Sequence, residues 1–577
     1  MCLVQAQKDT LRTSPTWYRN VEHYSQRNKA LTYLYQWLFV SPRSTAASST
    51  PSIQPHWKLF QGKVIRHIHI QVHDPFSGPG RWEELGNRFH RTTRQGVVQR
   101  LLLCQSSQRL DSLQIEESAR LLRKQRIFRQ VQLTPVASTH PDSVDINVDV
   151  TDSWSIYPSG TFSGTQANGE VTERNFLGLN HELECSVSTL FSNQSFGKSA
   201  RYSIANVGQT FSSFSLLGLQ DVQRNVLIQA QWDKAFLSPL TRWAYGVTLS
   251  QQEFWRNVFT ATDQLYLYKL NRNTQDVWLG YSHRMLPKQP FVRGIWAARF
   301  YQMRYRDAPD AGLDPSGYFA HERTTLLSLG ASQRQFRAER NLFNFEIRED
   351  IPLGWSAVVT SGVQYKGSQT RAYWGGRLHW ARYQTWGYHN TQLQWGSFVD
   401  GGAWEQMAYR LDYLYFTPLL PLGHWQLRQF FKANVCWGDR RDAALQDRVS
   451  LNGIPGLPDY SAPQLLGFNT VQLSWQTQTY VTGHWAGFHM SPFINITAAV
   501  LDDRTQPFVR QPWISKLGVG ILLYNDYLVF NSVQLAFSYY PYLPNAGADI
   551  WRINTYKSFD FTPQDVAVVK PQIVPYP

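Results

Sequence analysis

No stretch of this 577-residue chain reaches the ~18–20 uninterrupted apolar residues that a helix needs to cross a bilayer. The densest apolar run, LTYLYQWLFV at 31–40, is about half that length, so helical membrane spans are excluded. Cysteine is scarce as well. Cys2, Cys104, Cys185 and Cys436 are too few and too dispersed for a disulfide framework or a zinc cluster, and they read as small apolar residues. The chain also lacks a G-x-S-x-G elbow, a phosphate-binding loop and an H-E-x-x-H site. Its paired acids, Glu116 with Glu117, Asp439 with Asp442 and Asp502 with Asp503, suit helix surfaces and loops. His67, His69 and His73 share one face of HIHIQVH, but no cysteine or carboxylate converges on them, which favours a wet strand face over a metal site. The expectation is a protein without enzymatic chemistry, metal or cofactor.

Aromatic residues, in contrast, are abundant: 22 Trp, 29 Tyr and 32 Phe in a chain that is 42% hydrophobic and 17% charged. The mean hydropathy is only −0.38. A closed β-barrel reconciles these figures, because it satisfies its backbone between strands and hides its apolar residues at alternate positions. The net charge of +14 is spread over turns and polar strand faces rather than gathered in one run, so nucleic acid is not an expected partner. Membrane lipids are.

The order along the chain supports a two-part molecule. Residues 1–14 resemble the end of a signal peptide, with Val4-Gln5-Ala6 fitting a small-residue cleavage pattern, or else a disordered amino terminus. Residues 15–61 hold a short amphipathic helix at 28–40 and a Ser/Thr/Pro-rich linker at 41–56. From 62 to 150 the pattern is strand, helix, helix, strand, strand. Ile68, Ile70 and Val72 alternate with polar residues in the first strand, Val131 and Leu133 mark the second, and Val144, Ile146 and Val148 mark the third. Val97, Val98, Leu101 and Leu102 form one helical face, and Ile115, Ala119 and Leu122 another, the latter after a cap at Asp111 or Ser112.

Residues 151–577 then repeat the dyad pattern almost to the end, beginning with Leu183, Cys185, Val187 and Thr189 against Glu182, Glu184, Ser186 and Ser188. At ~10 residues per strand with long outer loops, this length fits roughly 16 antiparallel strands. The final one is expected around SFDF at 558–561. Trp154, Tyr157, Trp232, Trp243, Trp278, Trp296, Trp374 and Trp380 fall near strand ends, where interfacial girdles belong. Soluble sandwiches or a propeller would require polar outward faces and a repeating blade, which the sequence lacks.

The βααββ order with LDSLQIEESARLLRKQRIFRQVQL at its centre resembles a POTRA domain, although CQSSQRL stands where such domains carry a Gly after the first helix. Together with VTDSWSIYPSG, ERNFLGLN, REDIPLGW and DRVSLNGIPGLPDYSAPQLLGFNTVQLSWQTQTY, it makes residues 62–577 resemble the BamA/TamA-like bacterial surface-antigen family. That resemblance implies a membrane all-β fold, a POTRA-like domain in the periplasm of a Gram-negative bacterium and a barrel in its outer membrane. It further implies insertion or translocation of unfolded outer-membrane or secreted proteins, with accessory periplasmic proteins or lipoproteins as candidate partners. A passive porin or surface receptor with a vestigial POTRA-like domain is the alternative.

In the family an inward loop carries a Gly-Leu-Arg-Gly-Tyr type motif, whose Arg docks on an acidic residue of the wall. The aligned residues here are Gly456, Leu457, Pro458, Asp459 and Tyr460, and the wall counterpart is Gln476. Losing the Arg and the acid together leaves no unpaired buried charge. The segment 453–467 is therefore expected to be held by turn geometry and by packing of Leu457 and Tyr460.

Overall fold

The computed structural model describes residues 23–24, 57–75, 87, 90–138, 140–163, 165–259, 265–286, 289–310, 312–314, 317–343, 348–423, 425–442, 447–452, 456–457, 465–481, 489–524, 532–542, 551–553 and 561–576. The signal-like residues 1–14 and the helix and linker expected at 28–56 lie outside these.

The first unit is a three-stranded sheet covered by two helices. Strand β1 (Val64–His73) pairs in parallel with the central β3 (Ser143–Asp152), which pairs antiparallel with β2 (Phe128–Ala137). Helices α1 (Gln95–Leu101) and α2 (Ser112–Lys124) lie between β1 and β2 in sequence, and Asp111 caps α2 by accepting the Leu113 N–H at 3.1 Å. Val144, Ile146 and Val148 are wholly buried in β3, with Leu133 beside them and Ile68, Ile70, Val72 and Val131 packed against the same core. Trp57, ahead of the first strand, is part of that core too.

Ile65 is equally buried, although it has the wrong parity to share a face with Ile68. A bulge between the two makes this possible. Asp145 stabilises it by accepting from the Arg66 guanidinium at 2.7 Å and from the His67 N–H at 3.1 Å. The Arg66 hydrogen bond holds the Asp145 carboxyl below its usual range. His67, His69 and His73 stay on the wet face, and among the described residues no group of metal-ligating side chains is formed.

The rest is a closed antiparallel barrel. It begins with short strands, β4 (Ile156–Ser163), β5 (Gln166–Phe176), β6 (His181–Leu190), β7 (Ser195–Ile204), β8 (Ser213–Gln220) and β9 (Val226–Lys234). A tall wall follows: β10 (Trp243–Phe259), β11 (Leu265–Leu286), β12 (Gln289–Asp307), β13 (Glu322–Arg340), β14 (Arg348–Lys366) and β15 (Gln369–Gln384). Next come β16 (Gly387–Asp400), β17 (Ala403–Phe416), the three-residue β18 (Leu420–Leu422) at the turn into β19 (Trp425–Asp439), and the pair β20 (Val449–Ser450) and β21 (Leu466–Gly467) within the following loop. The wall ends with β22 (Asn469–Val481), β23 (His489–Asp502), β24 (Trp513–Tyr524), β25 (Ser532–Tyr539) and β26 (Trp551–Ile553).

Among the described residues the wall has 20 strands without the three-residue β18, more than the roughly 16 expected. The reason is that several hairpins, such as Lys366 to Gln369 and Gln384 to Gly387, spend only two residues on the turn and leave more chain for strands.

The barrel is inverted relative to a soluble protein. Along β13, Thr324, Ser328, Ser332 and Arg334 are buried inward while Leu327 and Leu329 stand exposed outward. Trp296, Leu329 and Val359 are register neighbours on three adjacent strands, and all are more than half exposed. Such a continuous apolar band is costly in water and favourable in lipid. Trp232, Trp243, Trp296, Trp374 and Trp380 also face outward. Trp154 and Trp278 do not: both are buried, and the Trp278 indole N–H donates to Asp233 at 3.1 Å.

Candidate functional site

Two features lie at the mouth of the barrel where the small domain sits, and a third is the closure of the sheet. The first is the joint. The turn inside ERNFLGLN carries Asn175, whose amide donates to Arg91 O at 2.9 Å and to Thr93 Oγ1 at 3.0 Å. Arg94 N–H donates to Gly178 O at 3.0 Å. Gly178 has φ +70°, and a Cβ there would lie 2.5 Å from Thr92 O, so only glycine fits this close approach. Beside it His90 bridges Asp152 at 2.9 Å and Ser155 at 3.2 Å, and Asp152 also accepts the Thr93 N–H at 2.7 Å. These side chains resemble a Ser/His/Asp relay in composition only. All are buried, and they tie the end of β3 to the segment before α1. Sequence reading quoted Asp152 and Ser155 within VTDSWSIYPSG but had no signal for His90, which lies some sixty residues earlier.

The second feature is how the small domain straddles the mouth. On α2, Arg123 pairs with Asp350 of β14 at 3.0 Å, which explains the acidic centre of REDIPLGW. Arg120, held by Glu117 at 2.8 Å, donates to Leu237 O between β9 and β10 and lies over the Phe336 ring. On the other side Arg129 of β2 donates to the Tyr524 hydroxyl at the end of β24, at 3.0 Å. One flank of the domain thus rests on the tall wall and the other on the closing strands.

The third feature is the closure itself. Among the described residues β26 joins β25 at Phe537 to Tyr539 and β4 at Arg552 with Ser163 and Ile553 with Phe162, which closes the sheet.

The inward loop follows β19. Leu457 is fully buried against Leu451, Ala499, Leu501, Ile514 and Tyr540 on the inner wall, and its N–H donates to Leu451 O at 2.8 Å. A Cβ on Gly456 would lie 2.8 Å from Leu451 Cα, so the loop closes on itself only with glycine there. Pro458, Asp459 and Tyr460 lie outside the described residues. Gln476 is buried in β22, and its amide donates to Gln478 at 3.3 Å. Of the remaining candidates, Val131 and Leu133 lie on the edge strand β2, whereas Val144, Ile146 and Val148 belong to the central β3 and cannot offer an edge.

No protein-family profile and no curated protein matches the chain. Among solved structures, BamA from Haemophilus ducreyi lacking POTRA domains 1–3 aligns over 85% of this chain and 84% of its own, at 12% identity and a TM-score of 0.35. CdiB from Escherichia coli aligns over 85% of this chain and 76% of its own, at 10% identity and a TM-score of 0.40. The alcaligin outer-membrane receptor FauA from Bordetella pertussis aligns over 74% and 68%, at 9% identity and a TM-score of 0.23. Values this low carry no argument about function, and the barrel stands on its own strand pairing.

Proposed function

We propose that this chain is an outer-membrane barrel of a Gram-negative bacterium that inserts or translocates other proteins. The observation that supports this reading is the edge strand β2 of the small domain, held at the mouth of the barrel. Among the described residues β2 pairs only with β3, which leaves its other side able to receive an extended substrate strand by β-augmentation. Through Arg129 that edge begins beneath β24, two strands from the closure at β26, where in this reading the barrel opens. Substrates in this reading are unfolded outer-membrane or secreted proteins, lipids surround the barrel, and accessory periplasmic proteins or lipoproteins deliver the substrates. The role is mechanical and calls on no cofactor.

Depletion of the protein followed by quantitation of the outer-membrane and surface proteome tests this. Reduced levels of several barrels or surface proteins are expected. Unchanged levels together with a steady single-channel conductance would instead identify a passive porin or receptor.

A further inference from the structure

Residues 561–576 rise through the lumen from the mouth where the small domain sits, where Phe561 packs on Phe430, to the opposite rim, where Tyr576 meets the inward loop. Pro563, Pro571 and Pro575 make this segment unfit for a wall strand, since each removes a ladder donor.

Wall side chains hold its backbone instead. Asn390 donates to Gln564 O at 2.7 Å, Arg377 to Ala567 O at 3.1 Å and Arg299 to Pro571 O at 3.0 Å, while Val574 N–H donates to the Tyr373 hydroxyl at 2.9 Å. Contacts to peptide groups are blind to sequence. Two charged pairs fix the height: Asp565 with Arg334, and Lys570 with Asp276 at 2.6 Å. The floor is cut to fit. A Cβ on Gly438 would strike the Tyr576 ring, which lies 3.8 Å beneath the Arg441 guanidinium, and a Cβ on Gly396 would crowd Val574. Beside the segment remains a luminal cavity of ≈450 Å³.

We infer that residues 561–576 are an intramolecular plug, seated in a track on the inner wall that binds extended polypeptide through its backbone, and that an extended peptide supplied in trans occupies the same track once the segment is withdrawn. A buried strand would be fixed by a continuous ladder. This segment is fixed by separated side-chain contacts, each of which can release alone. The inference goes beyond the proposed function and holds whether or not the closure passes substrate, so the two can fail separately.

The test is conductance in planar phosphatidylcholine bilayers. The full chain should stay mostly closed. Deletion of residues 562–577 should raise the conductance roughly tenfold, because barrels of at least ~16 strands leave an aqueous channel when unplugged. A synthetic peptide of residues 561–577 should restore the block, and a shuffled peptide of the same composition should block at a concentration within about tenfold of it, the two ion pairs being the sequence-specific part. Lys570→Glu in the full chain sets a second carboxylate against Asp276, and it should raise the open probability without removing any residue. A heat-modifiable deletion variant that conducts no more than the full chain, or a tail peptide that fails to block it, overturns the inference. Should the deletion variant not assemble, an unchanged open probability for Lys570→Glu overturns it equally.

Discussion

The wall from β10 to β15 and the seam from β25 through β26 to β4 are parts of one sheet built to different standards. In the tall wall, strands of 16 to 22 residues pair along most of their length. At the closure the strands are shorter: β4 to β9 have 8 to 11 residues each, and among the described residues β26 joins β4 to β25. The tall wall is also bolted to its neighbours from inside, where Phe343 after β13 packs with Tyr388 of β16, Phe416 of β17 and Phe430 of β19 in one aromatic cluster. The difference teaches that closure and stability are carried by different strands. The barrel's apolar band keeps it in lipid all the way round, while its strands are tall on one side and short on the other.

The largest effect should come from locking the closure, where the proposed function has the barrel open. Cysteines at Phe162 and Ile553, which are register partners and both face outward, should form a disulfide that locks the seam. Substrate insertion, followed by proteoliposome assay, should stop under oxidising conditions and return with reductant. The matching pair at Leu329 and Val359 in the tall wall should have no effect on insertion. Equal inhibition by both pairs would erase the functional contrast between wall and seam.

Next is the bolt. Phe416 is fully buried, and Phe416→Ala should cost about 3–5 kcal/mol, a typical loss for deleting a buried aromatic ring. Leu457→Ala in the inward loop should cost about 2–5 kcal/mol if its pocket cannot collapse. Both are measured as shifts in the urea midpoint of heat-modifiable migration. If Leu457→Ala is silent, the loop does not brace the wall near the seam and the contrast loses one of its supports.

Sequence periodicity made the inside-outside alternation and the βααββ unit legible, because both rest on which residues share a face. It did not reveal which face looks into the lumen. Trp278 was therefore assigned to a girdle although it lies inside, bonded to Asp233. Ile65 escaped notice because a bulge changes parity locally, and the device that holds the bulge, Arg66 and His67 on Asp145, spans nearly eighty residues. The luminal segment was invisible for a related reason. Val566 and Val568 alternate as strand residues do, and only the three prolines hinted that no ladder could form there. Of the expected loop motif, Leu457 packs on the inner wall, while Gly456 lies close against Leu451 within the loop.

The smallest expected effects concern the two flanks of the POTRA-like domain. Arg123 makes a two-point ion pair with Asp350 on the tall wall, and both side chains are mostly covered. Arg129 reaches Tyr524 beside the seam through a single hydrogen bond. Arg129→Gln should therefore cost no more than the ~0.5–1.5 kcal/mol of one hydrogen bond. Arg123→Gln should cost more, since charge-assisted bonds to a carboxylate are the stronger kind and Asp350 is left without its partner. In thermal melts of the assembled protein the order should be Arg123→Gln below Arg129→Gln below the unmodified chain. In the insertion assay the order should invert, because on the proposed function the weak tether lies on the side of the barrel that opens. If Arg123→Gln impairs insertion as much as it lowers the melting temperature, while Arg129→Gln changes neither, then the domain serves the rigid side of the barrel alone and delivery to the seam is lost from the mechanism.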